Sequence, residues 1–205
     1  MNKKGVLFVV SGPSGAGKGT IMEKYFEKYP DDNSFLSISM TSRKPRSIDK
    51  EGVTYYFKTR EEFEALIEND GLAEWTEFCG NYYGTPKKPV LDMLASGKNV
   101  VLEIEVEGGK QVRDSLGETV GIFVMTPSMQ ELRKRLIGRM TESPDAIEKR
   151  IKRAHEEIGE IDNYEYLIIN DDIDKAVETF RAIIISESQK VIRNKNFIEE
   201  VSKEC

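Results

Sequence analysis

The chain has one histidine, two cysteines and one tryptophan among 205 residues. A single histidine, His155, excludes a histidine-based catalytic triad and a histidine-rich metal site by count. His155 lies in a charged helical stretch and reads as part of a solvated face. Two cysteines, Cys79 and Cys205, build no disulfide framework and suit a reducing compartment. No apolar run approaches the ~20 residues that a membrane-spanning helix needs. No secretory hydrophobic segment follows the opening Met1, Asn2, Lys3 and Lys4, so a cytoplasmic protein without membrane attachment is expected. Net charge is −6, which argues against sequence-independent binding to nucleic acid. Carboxylates, lysines and arginines remain to carry any chemistry, and charged residues make up 32% of the chain.

Glycine, by contrast, is concentrated at one point. Residues 12–20 are Gly12, Pro13, Ser14, Gly15, Ala16, Gly17, Lys18, Gly19 and Thr20. They lie between an apolar run at 6–10, which reads as a buried strand, and a stretch from Ile21 that reads as a helix. A strand, a glycine-rich turn and a helix N-terminus form an anion cradle from backbone N–H groups and the helix dipole. Lys18 adds a full charge beside the outer phosphates of a nucleotide. A purely structural glycine turn accounts for neither the lysine nor the spacing. The usual phosphate loop follows its lysine with Ser or Thr, whose hydroxyl ligates Mg²⁺. Here Gly19 stands there and the hydroxyl comes one residue later, at Thr20. That resembles nucleoside monophosphate kinases, in which Mg²⁺ is held largely by phosphates and waters, so no metal-ligating residue is assigned.

Five segments read as buried strands: 6–10, 35–40, 100–104, 121–125 and 166–169. Amphipathic segments alternate with them, the pattern of a parallel sheet with helices on both faces. Ser128 with Glu131, and Thr59 with Glu62, have the spacing of capping boxes, and Pro144 after Ser143 opens a further helix. A helix carrying Leu91, Leu94 and Ala95 is expected to stop at Gly97. The last long helix is expected to bury Ala176, Val177, Phe180, Ile183, Ile184 and Val191 on one stripe. Two insertions interrupt this plan. The first, at about 42–88, reads as a small mixed sheet with its own helix. The second, at about 133–157, reads as two basic helices joined through Met140, Thr141, Glu142 and Ser143. The polar tail reads as a peripheral helical extension.

Arg43 and Arg46 flank Pro45, and guanidinium forks grip phosphate bidentately at any relevant pH. Short basic runs are usually solvated loops, but an ordered series follows: Gly52, Tyr55 and Phe57, then Glu74 and Trp75, then Asn81, Tyr83, Gly84 and Thr85. Further on come Glu103, Glu105 and Gly108, then Arg135 and Arg139, then Asn170 and Asp172. In this series the chain resembles the guanylate kinase family, from Gly5 to about Ser186. The resemblance implies a P-loop kinase fold of class α/β: a five-stranded parallel sheet flanked by helices, a small mixed GMP-binding insertion and a helical lid. It implies one domain, 5–186, followed by an extension, 187–205. The implied reaction is ATP-dependent phosphorylation of GMP, and of dGMP, with Mg²⁺ accompanying ATP. The partners are ATP and GMP, with no nucleic acid and no membrane, in a monomer or homodimer.

The resemblance also assigns residues. Gly12 to Thr20, Arg135 and Asn170 hold ATP, with Asn170 near the adenine. Ser39, Arg43, Arg46, Tyr55 and Tyr83 grip the GMP phosphate or its surroundings. Glu74, Thr85 and the pair Glu103 and Glu105 read guanine. Lys18, Arg43, Arg139 and Arg150 act on the transferring phosphoryl group. Chemistry supports this set, because guanine offers N1–H and a 2-amino group to carboxylates and O6 to hydroxyls. Adenine would set a bare lone pair against a carboxylate, and such an unpaired site rejects by ~10⁴-fold. Many relatives have Asp where this chain has Glu103 and Glu105, and a glycine where it has Met140. Glu107 reads as solvated. The alternatives are a kinase for another nucleoside monophosphate, a non-catalytic phosphopeptide-binding module of the same fold, and a motion-coupled P-loop ATPase.

Overall fold

The computed structural model describes residues 4–78, 80–138 and 144–203. Its centre is a five-stranded sheet of β1 (Leu7–Ser11), β2 (Ser34–Leu36), β7 (Asn99–Glu103), β8 (Thr119–Met125) and β9 (Tyr166–Ile169). The order is β2-β7-β1-β8-β9, and every pairing is parallel. The central strands are apolar between their ends because helices cover both faces. Alternate residues of β1 divide between two cores. Phe8 and Val10 pack with Ile21 and Tyr25 of α1 (Lys18–Lys28) and Phe180 of α7 (Ile173–Ser188). Leu7 and Val9 pack with Val90 and Leu94 of α3 (Lys87–Ala95) and Val112 of α4 (Val106–Leu116).

The expected strand 35–40 is divided between two sheets. β2 ends at Leu36, and Met40 opens β3 (Met40–Thr41) in a second, four-stranded sheet. Phe35 and Leu36 follow β7, and the Ser37 N–H still bonds the Val101 carbonyl at 2.9 Å. Met40 pairs instead with Tyr56 and Gly84. An apolar run cannot show such a change of partner. The expected strand 166–169 is an edge strand, so Leu167 and Ile169 are exposed and only Ile168 is buried. The last long helix ends at Ser188, and Val191 is 70% exposed rather than part of the buried stripe. In α3 the buried pair is Val90 and Leu94, while Leu91 faces outward.

The second sheet runs β4 (Tyr56–Phe57), β3, β6 (Asn81–Pro86), β5 (Leu72–Phe78). β3 and β4 are parallel and the other pairs antiparallel, so the sheet is mixed. α2 (Arg60–Glu68) opens on the complete capping box of Thr59 and Glu62 and buries Phe63 against Leu72 and Tyr82. On the far side of the core, α5 (Met129–Gly138) and α6 (Pro144–Ile158) pack through Leu132, Leu136, Ile147 and Ala154. Ser128 caps α5 by accepting from the Glu131 N–H at 3.1 Å, while the Glu131 carboxylate pairs with Arg135. The joining residues Met140 to Ser143 lie outside the described residues, as do Cys79 and Cys205. α8 (Lys195–Lys203) closes the described chain. Among the described residues, no helix is long and apolar enough to cross a membrane.

Candidate active site

β1 ends at Ser11, and the chain must turn at once to start α1. Gly12 has φ +140°, and a Cβ there would stand 2.0 Å from the Val124 carbonyl oxygen of the neighbouring strand. Gly17 has φ +94°, and its Cβ would meet the Asn170 amide nitrogen at 2.3 Å. Both positions therefore need glycine. α1 begins at Lys18 with no side-chain cap and no acidic residue in its first turn. Its first N–H groups have no partner within the helix, which leaves them for an anion. Lys18 Nζ lies across the loop, donating to the Gly12 carbonyl at 2.5 Å and the Pro13 carbonyl at 3.3 Å.

The loop is braced from two further elements. Asn170, at the end of β9, is buried and donates its amide to the Ala16 carbonyl at 2.8 Å. Arg135 of α5 donates to the Asn170 carbonyl at 2.9 Å and to Glu131 at 3.1 Å. Arg150 of α6 reaches the Ser14 hydroxyl at 3.4 Å. Phosphate loop, Asn170, Arg135 and Arg150 thus converge at the carboxyl ends of the parallel strands, where open α/β sheets bind ligands. Arg139 lies outside the described residues.

Three carboxylates line the next stretch. Glu103 ends β7, with both oxygens 3.5 Å from where a Cβ of Gly19 would stand. That is ordinary van der Waals distance, so the Glu103 carboxylate lies directly alongside the Gly19 backbone. Burial raises the Glu103 pKa, and the charge of Lys18 opposes the shift. Glu74 of β5 faces Thr85 of β6 in register, and the Thr85 hydroxyl donates to Glu74 Oε1 at 2.7 Å. Only 6% of Glu74 is exposed. Burial pushes its pKa up to about 7; the Thr85 hydrogen bond opposes this and the charge of Glu105 adds to it. Its Oε2 lies against α4, where a Cβ on Gly108 would come within 2.8 Å. Glu105, the residue before α4, is exposed and bonded to Arg153 of α6 at 2.6 Å.

The mixed sheet supplies a cationic, aromatic corner. Arg43 pairs with Asp49 at 2.9 Å and lies over the rings of Tyr55 and Phe57, at 5.6 and 6.0 Å. Tyr83 meets Tyr55 edge to face at 6.1 Å. Desolvation raises the Tyr55 pKa, and the charge of Glu103 contributes, which places this corner within electrostatic reach of β7. Ser39 is half-buried, and its carbonyl accepts from the Tyr56 N–H at 2.9 Å. The Arg46 side chain is exposed, and its backbone N–H bonds Asp49 at 2.7 Å. That bond, ahead of the pairing with Arg43, holds the Asp49 carboxyl below the usual range.

Asp49, Arg153 and Glu157 are neighbours of the candidate residues that the sequence did not single out. Asp49 follows Arg46 by three residues, a spacing that signals a turn but not a partner. Glu157 holds Arg153 at 3.2 Å, and its pKa is raised by burial against the attraction of Arg153 and Lys18. Its ordinary i,i+4 spacing gave no sign that it faces the site.

Comparisons with known proteins agree with this arrangement. The family model described as guanylate kinase matches residues 4–187. The chain is 48% identical to a guanylate kinase of Caldanaerobacter subterraneus subsp. tengcongensis, covering 100% of this chain and 98% of that one. It is 46% identical to one of Clostridioides difficile, covering 98% of each. The crystal structure of guanylate kinase from Anaplasma phagocytophilum superposes with a TM-score of 0.76 at 34% identity, covering 94% of this chain and 90% of that chain. A fold with a braced phosphate loop facing a buried carboxylate–hydroxyl pair, matched over its whole length, leaves one conclusion: the chain belongs to the guanylate kinase family.

Proposed function

We propose that the chain transfers the terminal phosphoryl group of ATP to GMP, with dGMP as a second acceptor, giving GDP and ADP. The observation that carries this is the buried Glu74–Thr85 pair at 2.7 Å. The Glu74 carboxylate, with Oε1 fixed by the Thr85 hydroxyl, complements the guanine donors N1–H and the 2-amino group. An adenine would set its bare N1 lone pair against the buried carboxylate.

In this reading the phosphate loop and Lys18 hold the ATP phosphates, with Arg135 and Asn170 at the nucleoside side. Arg43, Arg46, Tyr55, Tyr83 and Ser39 hold GMP. Arg150, already beside Ser14, and Arg139 bring positive charge to the group in flight. Phosphoryl transfer asks a protein mainly for alignment, charge neutralisation and exclusion of water. Splitting the arginines between the mixed sheet, about 42–88, and the helices at about 133–157 makes both parts close before charge is neutralised, which protects ATP from hydrolysis. Both belong to one domain, 5–186, with 187–205 as an extension.

The residues suit a magnesium ion carried by the phosphates. Glu103 is a hard oxygen donor facing the Gly19 backbone, and Mg²⁺ retains several waters beside one or two carboxylates. Such an ion would neutralise phosphate charge, with Glu103 and Thr20 touching its waters. In this reading the partners are ATP and GMP, and the enzyme works in the cytoplasm without nucleic acid or membrane.

The test is a coupled assay offering ATP with GMP, AMP, UMP or TMP. Turnover with GMP at least ~10³-fold above the others in kcat/KM is the expected outcome. Equal use of AMP would refute the guanine reading. Binding of a phosphopeptide without turnover would favour the scaffold alternative.

A further inference from the structure

α6 carries two arginines three residues apart on one face, and they reach different substrates' sites. Arg150 meets Ser14 of the phosphate loop at 3.4 Å, and Arg153 meets Glu105 at 2.6 Å. We propose that Arg153 is a positioning residue that aims Glu105 at guanine and thereby ties α6 to the GMP side of the cleft. This rests on the reading of the site given above.

The geometry at Glu105 is unusual for its place in the chain. A short N-cap side chain such as Asp or Ser accepts from the first-turn N–H groups of its own helix. Glu105 stands at the N-cap of α4 and makes no such side-chain bond. Its carboxylate is turned to Arg153 instead, forty-eight residues on. Arg153 in turn is fixed by Glu157, which accepts from Nε at 3.2 Å with a side chain only 12% exposed. Two carboxylates therefore set the guanidinium plane, which distinguishes it from a loose surface pair of negligible value. Arg153 takes one oxygen of Glu105 and leaves the other to accept. Thr85 does the same for Glu74, taking Oε1. The two glutamates are also electrostatically coupled, since the charge of Glu105 acts on Glu74.

The bridge crosses open space rather than a packed seam. A cleft of about 250 Å³ lies between α4 and α6, lined by Val106, Lys110, Arg153 and Glu157 among others. Loss of Arg153 would then remove an orienting contact without opening a core. Because Arg150 and Arg153 ride on one helix, holding Glu105 for guanine and holding Arg150 on the phosphate loop favour the same placement of α6. Linkage makes that reciprocal: whatever ATP-side closure adds to GMP affinity, GMP adds to closure.

The experiment compares wild type, Arg153→Met and Arg153→Lys. GMP binding is followed through the fluorescence of Trp75, the only tryptophan and the neighbour of Glu74, with and without a non-hydrolysable ATP analogue. Steady-state KM and kcat are measured alongside. We expect Arg153→Met to weaken GMP binding by ~5- to 20-fold and to leave the affinity for the ATP analogue alone, without GMP, within about twofold. The enhancement of GMP affinity by the ATP analogue should shrink toward unity, and Arg153→Lys should recover part of both. A folded Arg153→Met protein with GMP affinity and enhancement within about twofold of wild type would overturn the proposal. Should Arg153→Met fold poorly, Glu157→Gln releases the fork while keeping the bridge, with a smaller loss of GMP affinity expected and an unchanged affinity contradicting the role. A wild-type protein that neither binds nor phosphorylates GMP would overturn the functional reading itself, whereas an active wild type with an indifferent Arg153 would overturn only this assignment.

Discussion

Glu74 should destabilise the empty protein at the pH where it works. Burial lifts its pKa from the ordinary 4.5 to about 7, so the folded protein holds a proton that the unfolded chain releases. For a carboxyl raised in this way, stability is greatest below pH 4.5 and falls as pH climbs through 7. With those two values, linkage gives a loss of about 1 kcal/mol at pH 5 and about 3 kcal/mol at pH 8. Glu74→Gln keeps an oxygen for the Thr85 hydroxyl to bond but no longer titrates. Its stability relative to wild type should therefore rise by roughly 2 kcal/mol from pH 5 to pH 8, or about 4–8 °C in Tm for a chain of this size. The same change sets an amide N–H against the guanine donors, so GMP use should fall by ~10²-fold or more while ATP affinity is kept. Differential scanning fluorimetry of both proteins between pH 5 and pH 8, with and without GMP, reads both effects. Parallel Tm curves across that range would show that Glu74 carries no buried ionisation penalty. An unchanged KM and kcat for GMP in the variant would remove it from the base-reading set.

Lys18→Ala should abolish turnover while leaving the far-UV circular dichroism and Tm near wild type, because its bonds to the Gly12 and Pro13 carbonyls stay within the loop; near-native kcat would refute the loop assignment. Gly17→Ala should lose ATP binding, since a Cβ would stand 2.3 Å from Asn170 at a φ of +94°; retained ATP affinity by calorimetry would show that the loop tolerates the shift. Asn170→Ala should raise the ATP KM by ~10-fold through loss of the Ala16 brace, with little effect on the GMP KM. Arg150→Met should lower kcat by more than it raises the ATP KM if, as proposed, its contact with the transferring group forms only in the closed, reacting state. A large ATP KM effect with unchanged kcat would make α6 a passive clamp.

What could be read from the chain alone divides along physical lines. The phosphate loop was legible because all its determinants lie within nine residues, and strand, glycine spacing and lysine explain one another locally. The capping box of Thr59 and Glu62 was legible for the same reason. The Glu74–Thr85 pair is different in kind. The two residues are eleven apart, and the strand register shifts between Leu72 and Glu74, so no counting along the chain places them opposite one another. Only resemblance to a family brought them together, and only the structure supplied the burial that sets the Glu74 ionisation. The strand expected at 35–40 misled because apolarity reports burial, not which sheet does the burying. Asp49 and Arg153 were invisible because an ion pair is defined by where two elements dock, and a charge run reads the same whether solvated or engaged. The two departures from the common pattern show how far a single sequence can go. Gly19 and Glu103 each looked like a separate anomaly, eighty-four residues apart. In space the glutamate oxygens stand 3.5 Å from where a Cβ of Gly19 would be, an ordinary contact distance, so the two positions are neighbours at the loop. Two positions far apart in the chain can thus meet at one site, and that becomes visible only when the strand ends are brought to the loop.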